Sequence, residues 1–367
     1  MAQQADRVVA MKDGGYYSKS TGGAKDVIDR GKSLILDAVA AMEIADSATP
    51  FTFADMGCAD GGTSMAMVGE VLAAVRARAP SRPLQMVYTD LPTNDFRQIF
   101  CNVQGLTGMD SYHGSIDNLF VYASGTSFHE RLFADGTLNL GFSATASHYI
   151  TETPAKIAAH VHMVGAAPDE RTAYEDKGRH DWENLLTHRA HELVPGGRLV
   201  YFNFGIDEEG RYLGDTGGVS MFDTFNRFWA ELADDGVITG EEYLNTNFLQ
   251  CYRDVGKFCA PLRDAASPVY AAGLRLDHVE TRVVECPYAA AFREHGDAAR
   301  FAEEYIPTLR SWSEHTFAAG LSPDRPAEQR AEILDDFYGR YQASVAAAPE
   351  GHAMDYVHVY TVMSKTG

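Results

Sequence analysis

Residues 51–56, FTFADM, form a mostly apolar run that stops abruptly at Gly57-Cys58-Ala59-Asp60-Gly61-Gly62. Thr63 or Ser64 can then cap a helix through MAMVGEVLAAVRARA. A short apolar run cut by glycines and followed by a capped apolar helix reads as buried strand, tight turn and helix. The signal recurs along the chain. A helix is expected at 26–45, and strands at 84–89 (ending at Asp90), 120–122 and 138–142 (running into SATASHYI). A helix at 182–193 leads through Pro195-Gly196-Gly197 into a strand at 198–204. Such alternation specifies a largely parallel sheet with helices on both faces. Beyond it the pattern changes. Residues 216–250 read as helical and aromatic-rich, 274–284 as a strand, 288–348 as helical, and DYVHVYTVMSK as a final strand. Helical stretches between late strands are expected to be insertions that cap one sheet, not a separate domain. The 367 residues suit that arrangement.

The charge narrows the function. With 31 basic against 51 acidic residues the net charge is −20, which speaks against phosphate-driven nucleic-acid binding and against docking on anionic lipid. Five cysteines without C-x-x-C spacing give no sign of a disulfide framework or structural zinc. MAQQADRVVAMKDGG lacks the apolar core of a signal peptide, and no stretch approaches the ~18 apolar residues of a membrane span. The expectation is a cytoplasmic protein acting on small molecules or proteins.

In open α/β sheets ligands bind beyond the carboxyl ends of the strands, so the strand ends hold the candidate residues. The first ends in Asp55-Met56-Gly57, where glycines allow close backbone approach to a ligand, although G-x-G-x-x-G spacing is absent. The second ends in Asp90-Leu91-Pro92, placing a carboxylate where ribose hydroxyls can be received, or simply a turn residue before proline. The fourth ends in Ser143-Ala144-Thr145-Ala146-Ser147-His148-Tyr149, small, hydroxylated and aromatic, with no G-x-S-x-G nucleophile elbow.

Together these segments resemble the SABATH family of S-adenosylmethionine-dependent carboxyl methyltransferases. Asp55-Met56-Gly57-Cys58-Ala59-Asp60-Gly61 is similar to the family's D-L-G-C-S-x-G, and Thr89-Asp90-Leu91-Pro92-Thr93-Asn94-Asp95-Phe96 to its N-D-L-P-x-N-D-F. Ser127-Phe128-His129-Glu130-Arg131-Leu132-Phe133 resembles S-F-Y-x-R-L-F, and residues 143–150 fall where the family has S-S-Y-S-L-H-W-L. Residues 225–243 follow its aromatic helix and its G-I-x-x-E pattern. The resemblance implies a class I methyltransferase fold: a Rossmann-like mixed sheet of seven strands, the last antiparallel, with an inserted helical cap. The implied division is one unit. Residues 1–25 are an active-site loop, 26–206 with 274–286 and 354–365 the cofactor-binding core, and 207–273 with 287–353 the cap.

The resemblance also implies roles. Tyr17, Ser20, Asp55, Gly57, Thr63, Asp90, Leu91, Ser127, Phe128 and Ser143 would hold S-adenosylmethionine. Asp90 would take the ribose hydroxyls, and Ser127 and Phe128 would bracket the adenine. Tyr17, Thr145, His148, Tyr149, Phe225 and Trp229 would surround the acceptor, with His148 and Tyr149 catalytic. Three positions depart from the pattern: Ala24 stands in the slot of a glutamine that contacts the acceptor carboxylate, Thr63 replaces an asparagine, and Thr145 replaces a pocket tyrosine. Lys19 or Lys25 could supply the missing donor. Some family members bind a structural magnesium ion, for which no ligands are assigned here, and homodimers are common. A carboxylate is already ionised at pH 7, so its methylation needs alignment and water exclusion, not a base.

The expected activity is methylation of a small organic acid to its methyl ester, with S-adenosylhomocysteine as by-product. Methylation of a neutral or zwitterionic acceptor at oxygen, nitrogen or sulfur, and a non-catalytic module that binds the cofactor or a metabolite, remain open. His160-x-His162 and His188-x-x-His191 have metal-ligand spacing but lack a completing carboxylate or cysteine cluster. They are expected to be exposed helix histidines, with no metal bound.

Overall fold

The computed structural model describes residues 22–367. Its helices are α1 (Gly22–Ala40), α2 (Met65–Arg78), α3 (Phe96–Val103), α4 (Pro168–Glu192), α5 (Met221–Asp234), α6 (Gly240–Asn245), α7 (Val255–Arg263), α8 (Pro268–Ala271), α9 (Pro287–His295), α10 (Ala298–Gly320) and α11 (Ala327–Ala347). Its strands are β1 (Phe51–Met56), β2 (Leu84–Asp90), β3 (Leu119–Gly125), β4 (Leu138–Ala144), β5 (Leu193–Ile206), β6 (Arg253–Asp254), β7 (Leu274–Val284) and β8 (Tyr356–Lys365). The sheet order is β3-β2-β1-β4-β5-β8-β7, with two-residue β6 beside the end of β5. β1 to β5 pair in parallel, and β8 runs antiparallel to both its neighbours. This is the expected mixed α/β sheet, with an antiparallel last strand inserted between β5 and β7.

The period of two in the strands decides which helices cover which face. Phe51, Phe53, Val200, Phe202 and Tyr360 face a core shared with α1 and α2. Ala54, Met56, Leu199, Tyr201 and Val359 face the opposite core with Trp182 and Leu186 of α4, Phe258 of α7 and Val269 of α8. Helix α1 lies close on the sheet because Gly31 has no side chain: a Cβ there would stand 2.5 Å from the Phe202 ring. Helices α5, α10 and α11 stack aromatic residues on one another, and their buried residues are continuous with the core on the α1 face.

Two boundaries differ from the sequence reading for physical reasons. Helix α4 begins at Pro168, well before 182. Its first turns carry few apolar residues, so periodicity misses them. They start from proline at the first helical position, with Asp169 and Glu170 in the first turn and Glu170 accepting from the Ala167 N–H at 2.9 Å. Strand β5 begins at Leu193 and passes through the glycines expected to be a turn, where the pairing with β4 shifts register. Residues 216–250, expected to be helical, hold the two helices α5 and α6.

Candidate active site

The carboxyl ends of β1, β2 and β4 meet, and each carries one of the motifs. Beyond β1 the chain bends through Gly57 (φ +76°), Ala59 (φ +49°) and Gly61 (φ +70°). Gly57 is required by space as well as by backbone: a Cβ there would lie 2.6 Å from that of Ala146 and 3.5 Å from the Phe128 ring. Ala59 is a non-glycine residue in the left-handed region, held by two side chains from the second motif. Asp90 Oδ2 accepts its N–H at 2.7 Å, and the Asn94 amide donates to its carbonyl at 2.8 Å. The other Asp90 oxygen accepts from the Leu91 N–H at 2.8 Å. Burial raises the Asp90 pKa against these two bonds. Asp95, next in the motif, caps α3 by accepting from the Gln98 N–H. The motif thus shapes the glycine turn and starts the next helix.

Asp55 is buried, and Ser64 donates to it at 2.5 Å. Ser64 is the N-cap residue of α2, yet its hydroxyl makes no bond to the helix because Asp55 takes it. Burial pushes the Asp55 carboxyl up to about 7. Thr63, the residue before Ser64, is half-buried. Ser143 donates to the Met56 carbonyl at 2.8 Å, so its hydroxyl ties β4 to β1.

Phe128 lies against the glycine turn, and its segment is fixed from behind by a buried ion pair the sequence reading missed. Arg189 of α4 donates to the Phe128 carbonyl at 2.9 Å, to the Glu130 carbonyl at 2.6 Å and to Glu192 at 2.6 Å. Glu192 in turn accepts from the Leu132 N–H at 2.7 Å. Both side chains are completely buried. His129 joins the same segment to the end of β4, through a 3.1 Å contact with the Tyr149 carbonyl. Burial holds His129 down to about 4, so the ring is neutral and its Nε2–H donates there.

The end of β4 is strained. Thr145 has φ +60°, an outlier for a β-branched residue and a feature that concentrates at functional sites. Its N–H reaches the Phe202 carbonyl at 2.8 Å and its hydroxyl reaches His358 Nε2 at 3.2 Å. The backbone of the next residues is pinned on several sides. Ser147 donates to Asn203, Arg253 to the Ser147 carbonyl at 3.4 Å, and the Cys251 N–H to the His148 carbonyl at 2.8 Å. His148 is buried among Tyr149 (4.3 Å between rings), Phe204 (5.0 Å) and Tyr252 (5.9 Å), and its Nδ1 has no hydrogen-bond partner. Burial, with His358 and Arg253 nearby, holds its pKa well below the ordinary value. The ring is neutral.

His358 of β8, which sequence reasoning did not single out, and His162 complete this interior. His162 was expected on an exposed helix. It lies in an irregular segment leading into a 3₁₀ turn, fully buried and stacked on Phe222 at 3.9 Å; His160 is buried too. Among the described residues no three His, Cys, Asp or Glu side chains converge as a metal site.

Phe225 and Trp229, implied by the resemblance to face the acceptor, are both fully buried. Phe225 packs on Phe248, Phe317 and Tyr341, and Trp229 on Phe317 and Phe337 while donating to the Thr246 hydroxyl at 3.0 Å. Both are interior to the cap. Phe222, on the same helical stripe, is the one that meets His162. Lys25 forms an exposed ion pair with Asp29. Tyr17, Ser20 and Lys19 lie outside the described residues.

The buried neutral histidines predict acid sensitivity. Burial holds His358 down to about 3 against an ordinary 6.5. The unfolded chain therefore takes up a proton that the folded chain refuses, and stability present above pH 6.5 falls as pH drops toward 3, by about 1.4 kcal/mol per pH unit for each such histidine. His148 and His162 act in the same direction. Asp55, raised to about 7, acts oppositely, gaining stability as pH falls from 7 toward 4. Urea midpoints are expected to fall between pH 6.5 and 4.5, and His358→Phe to make that slope shallower.

The match to a model of the family described as SAM dependent carboxyl methyltransferase covers residues 6–366. Gibberellic acid methyltransferase 2 of Arabidopsis thaliana is 25% identical over 259 residues, 64% of this chain and 66% of that protein. Salicylate carboxymethyltransferase of Clarkia breweri is 25% identical over 312 residues, 81% and 82% of the two chains. Across eight curated relatives the chain spans between 39% and 82% of the relative's length, in several cases little more than half. The solved loganic acid methyltransferase with SAH shares the fold at a TM-score of 0.75 and 19% identity, over 98% of this chain and 99% of that one.

Proposed function

The chain belongs to the SAM dependent carboxyl methyltransferase family, and on that premise we propose that it transfers a methyl group from S-adenosylmethionine to the carboxylate of a small organic acid. The observation that carries the proposal is the convergence of the glycine turn, Asp90 and His148 at the ends of three adjacent strands. The residues present fit the cofactor. The turn leaves a cradle at Gly57 that a side chain would fill, Phe128 flanks it, and Asp90 keeps acceptor capacity beyond its two N–H bonds.

Bound there, S-adenosylmethionine supplies an electrophilic sulfonium methyl. Asp90 and Leu91 would hold its ribose, Ser127 and Phe128 its adenine, and Asp55, Gly57, Thr63 and Ser143 would line the floor between; Tyr17 and Ser20, which the resemblance assigns to the cofactor, lie outside the described residues. The protein's remaining work is positional. Neutral His148 donates to the acceptor carboxylate without placing a second cation beside the sulfonium. The Tyr149 and Phe204 rings exclude water, and aromatic faces attract a cation. Thr145 and Tyr149 border the acceptor. The cap, at 207–273 and 287–353, closes over it, with Phe222 nearer the acceptor than Phe225 or Trp229.

Among the described residues no helix is long and apolar enough to cross a membrane. A cytoplasmic homodimer without nucleic-acid or membrane partners belongs to the same proposal, supported by the family and the −20 charge.

His148→Ala tests the assignment. It is expected to lower kcat by about 100-fold, the scale of one lost orienting hydrogen bond to a charged group. Affinity for S-adenosylhomocysteine by calorimetry should stay within about threefold. An equal loss of cofactor affinity would take His148 out of the acceptor site.

A further inference from the structure

We propose that Arg253 is the residue that selects an anionic acceptor: its buried guanidinium, which no carboxylate meets, sets a positive charge behind the segment that carries His148 and Tyr149. The inference rests on the carboxylate reading above and adds the group that favours an anion over a neutral molecule of the same shape.

Two arginines are buried among the described residues, and they differ. Arg189 is neutralised by Glu192 at 2.6 Å. Arg253 has hydrogen bonds but no carboxylate of the described residues within ion-pair distance. Its Nε and Nη2 donate to the Gly178 carbonyl at 3.2 and 2.6 Å, and its Nη1 donates to the Ser147 carbonyl at 3.4 Å. The Trp182 and Phe258 rings lie 5.8 and 5.6 Å from its guanidinium carbon. Gly178 lets α4 come this close, because a Cβ there would stand 2.4 Å from Cys251 Sγ and 3.2 Å from the guanidinium. The carboxylate whose charge acts on Arg253 is Asp181, which is already taken by Lys177 at 3.1 Å and by the Thr151 N–H at 2.8 Å. Carbonyls and aromatic faces satisfy a guanidinium without cancelling its charge. A buried charge lacking a counter-ion is costly, and an anion bound nearby lowers that cost.

The charge lies close behind the transfer site. Arg253 pairs with Gly205 at the end of β5, and the chain just before it runs beside the end of β4. There the Cys251 N–H donates to the His148 carbonyl at 2.8 Å, and Gln250 bridges to Tyr149. After burial and His358, the Arg253 charge is what holds the His148 imidazole neutral. His129, His148 and His358 are all neutral, so the unmatched positive charge around this strand end is that of Arg253. The net charge of −20 repels an approaching acid, and a local cation offsets that repulsion. A carboxylate loses its charge as the ester forms. The cation therefore favours the bound anion more than the transition state, and its effect falls on binding rather than on kcat.

The test uses a panel of small acids with methyl-labelled S-adenosylmethionine: benzoate, phenylacetate, cinnamate and hexanoate, each paired with its carboxamide as a neutral isostere. For the acids that are methylated, calorimetry on the S-adenosylhomocysteine complex gives the affinities of acid and amide. The unaltered protein is expected to prefer the acid by at least about tenfold, the scale of one charge acting through partly buried protein. Arg253→Gln, which keeps N–H donors and loses the charge, and Arg253→Met are expected to collapse that preference and raise KM. Both should leave kcat and S-adenosylhomocysteine affinity within about threefold. Arg253→Lys, which keeps the charge, should retain the preference. Equal binding of acid and amide by the unaltered protein overturns the inference. So does an Arg253→Gln protein that keeps the preference, or one that weakens acid and amide alike, because that is the behaviour of a packing residue. Methylated acids with a preference independent of Arg253 defeat the inference alone. If S-adenosylhomocysteine binds and no acid is methylated, the carboxylate reading itself fails and the inference falls with it.

Discussion

Asp90→Ala is expected to weaken S-adenosylhomocysteine binding by at least about 100-fold while the protein stays folded. Two effects add. In the proposed role the carboxylate accepts from the ribose hydroxyls, and charge-assisted hydrogen bonds are each worth about 1.5–3 kcal/mol, so losing two would remove about 100-fold or more. The same side chain also holds Ala59 in its left-handed conformation through a 2.7 Å bond, so its loss frees the glycine turn on which the cofactor would rest. Asp90→Asn keeps one acceptor oxygen and is expected to fall between the two. Calorimetry reads the affinities and thermal unfolding confirms the fold. An unchanged Kd in Asp90→Ala would move the ribose away from β2.

Arg189→Met is expected to be strongly destabilising, by about 3 kcal/mol, because it strips buried Glu192 of its 2.6 Å partner and leaves only the longer, partly exposed contact with Arg131 at 3.6 Å. It also removes the donors to the Phe128 and Glu130 carbonyls, so cofactor affinity should fall although Arg189 lies behind the site. The double variant Arg189→Met/Glu192→Leu should recover stability, since replacing a whole buried pair is far less costly than breaking it. Recovery stays incomplete because Glu192 also receives the Leu132 N–H. Urea unfolding of the four-member cycle gives the coupling. A double variant as unstable as the sum of the singles would show the pair to be uncoupled.

The strand ends were legible because their signal is local. A run of apolar residues, glycines that permit a left-handed turn and a capped helix all fall within a few residues, as in the segment from Phe51 to Ser64. Asp90 and His148 followed from the same logic at β2 and β4. What stayed hidden depends on distant packing. Arg189 reads as an ordinary charged helix residue until β4 and the segment around Phe128 are folded against α4. His162 reads as polar surface until the chain around it turns inward against α5. His358 sits in an apolar strand whose sequence gives no reason to expect a neighbour at Thr145. The helix α5 shows the limit of periodicity most plainly. Phe222, Phe225 and Trp229 share one stripe, but Trp229 lies seven residues past Phe222, about 10 Å further along the axis, and that distance carries it from contact with His162 to contact with Phe317 and Phe337. A pattern identifies the buried face of a helix without saying which neighbours each turn of that face meets.

Ester formation at a carboxylate is read directly from the fate of a labelled methyl group. Purified protein incubated with methyl-tritiated S-adenosylmethionine and the acid panel should give a product that releases volatile tritiated methanol on mild alkaline treatment, with His148→Ala giving little. A labelled product stable to alkali would place the methyl on nitrogen, sulfur or a neutral oxygen and contradict the account.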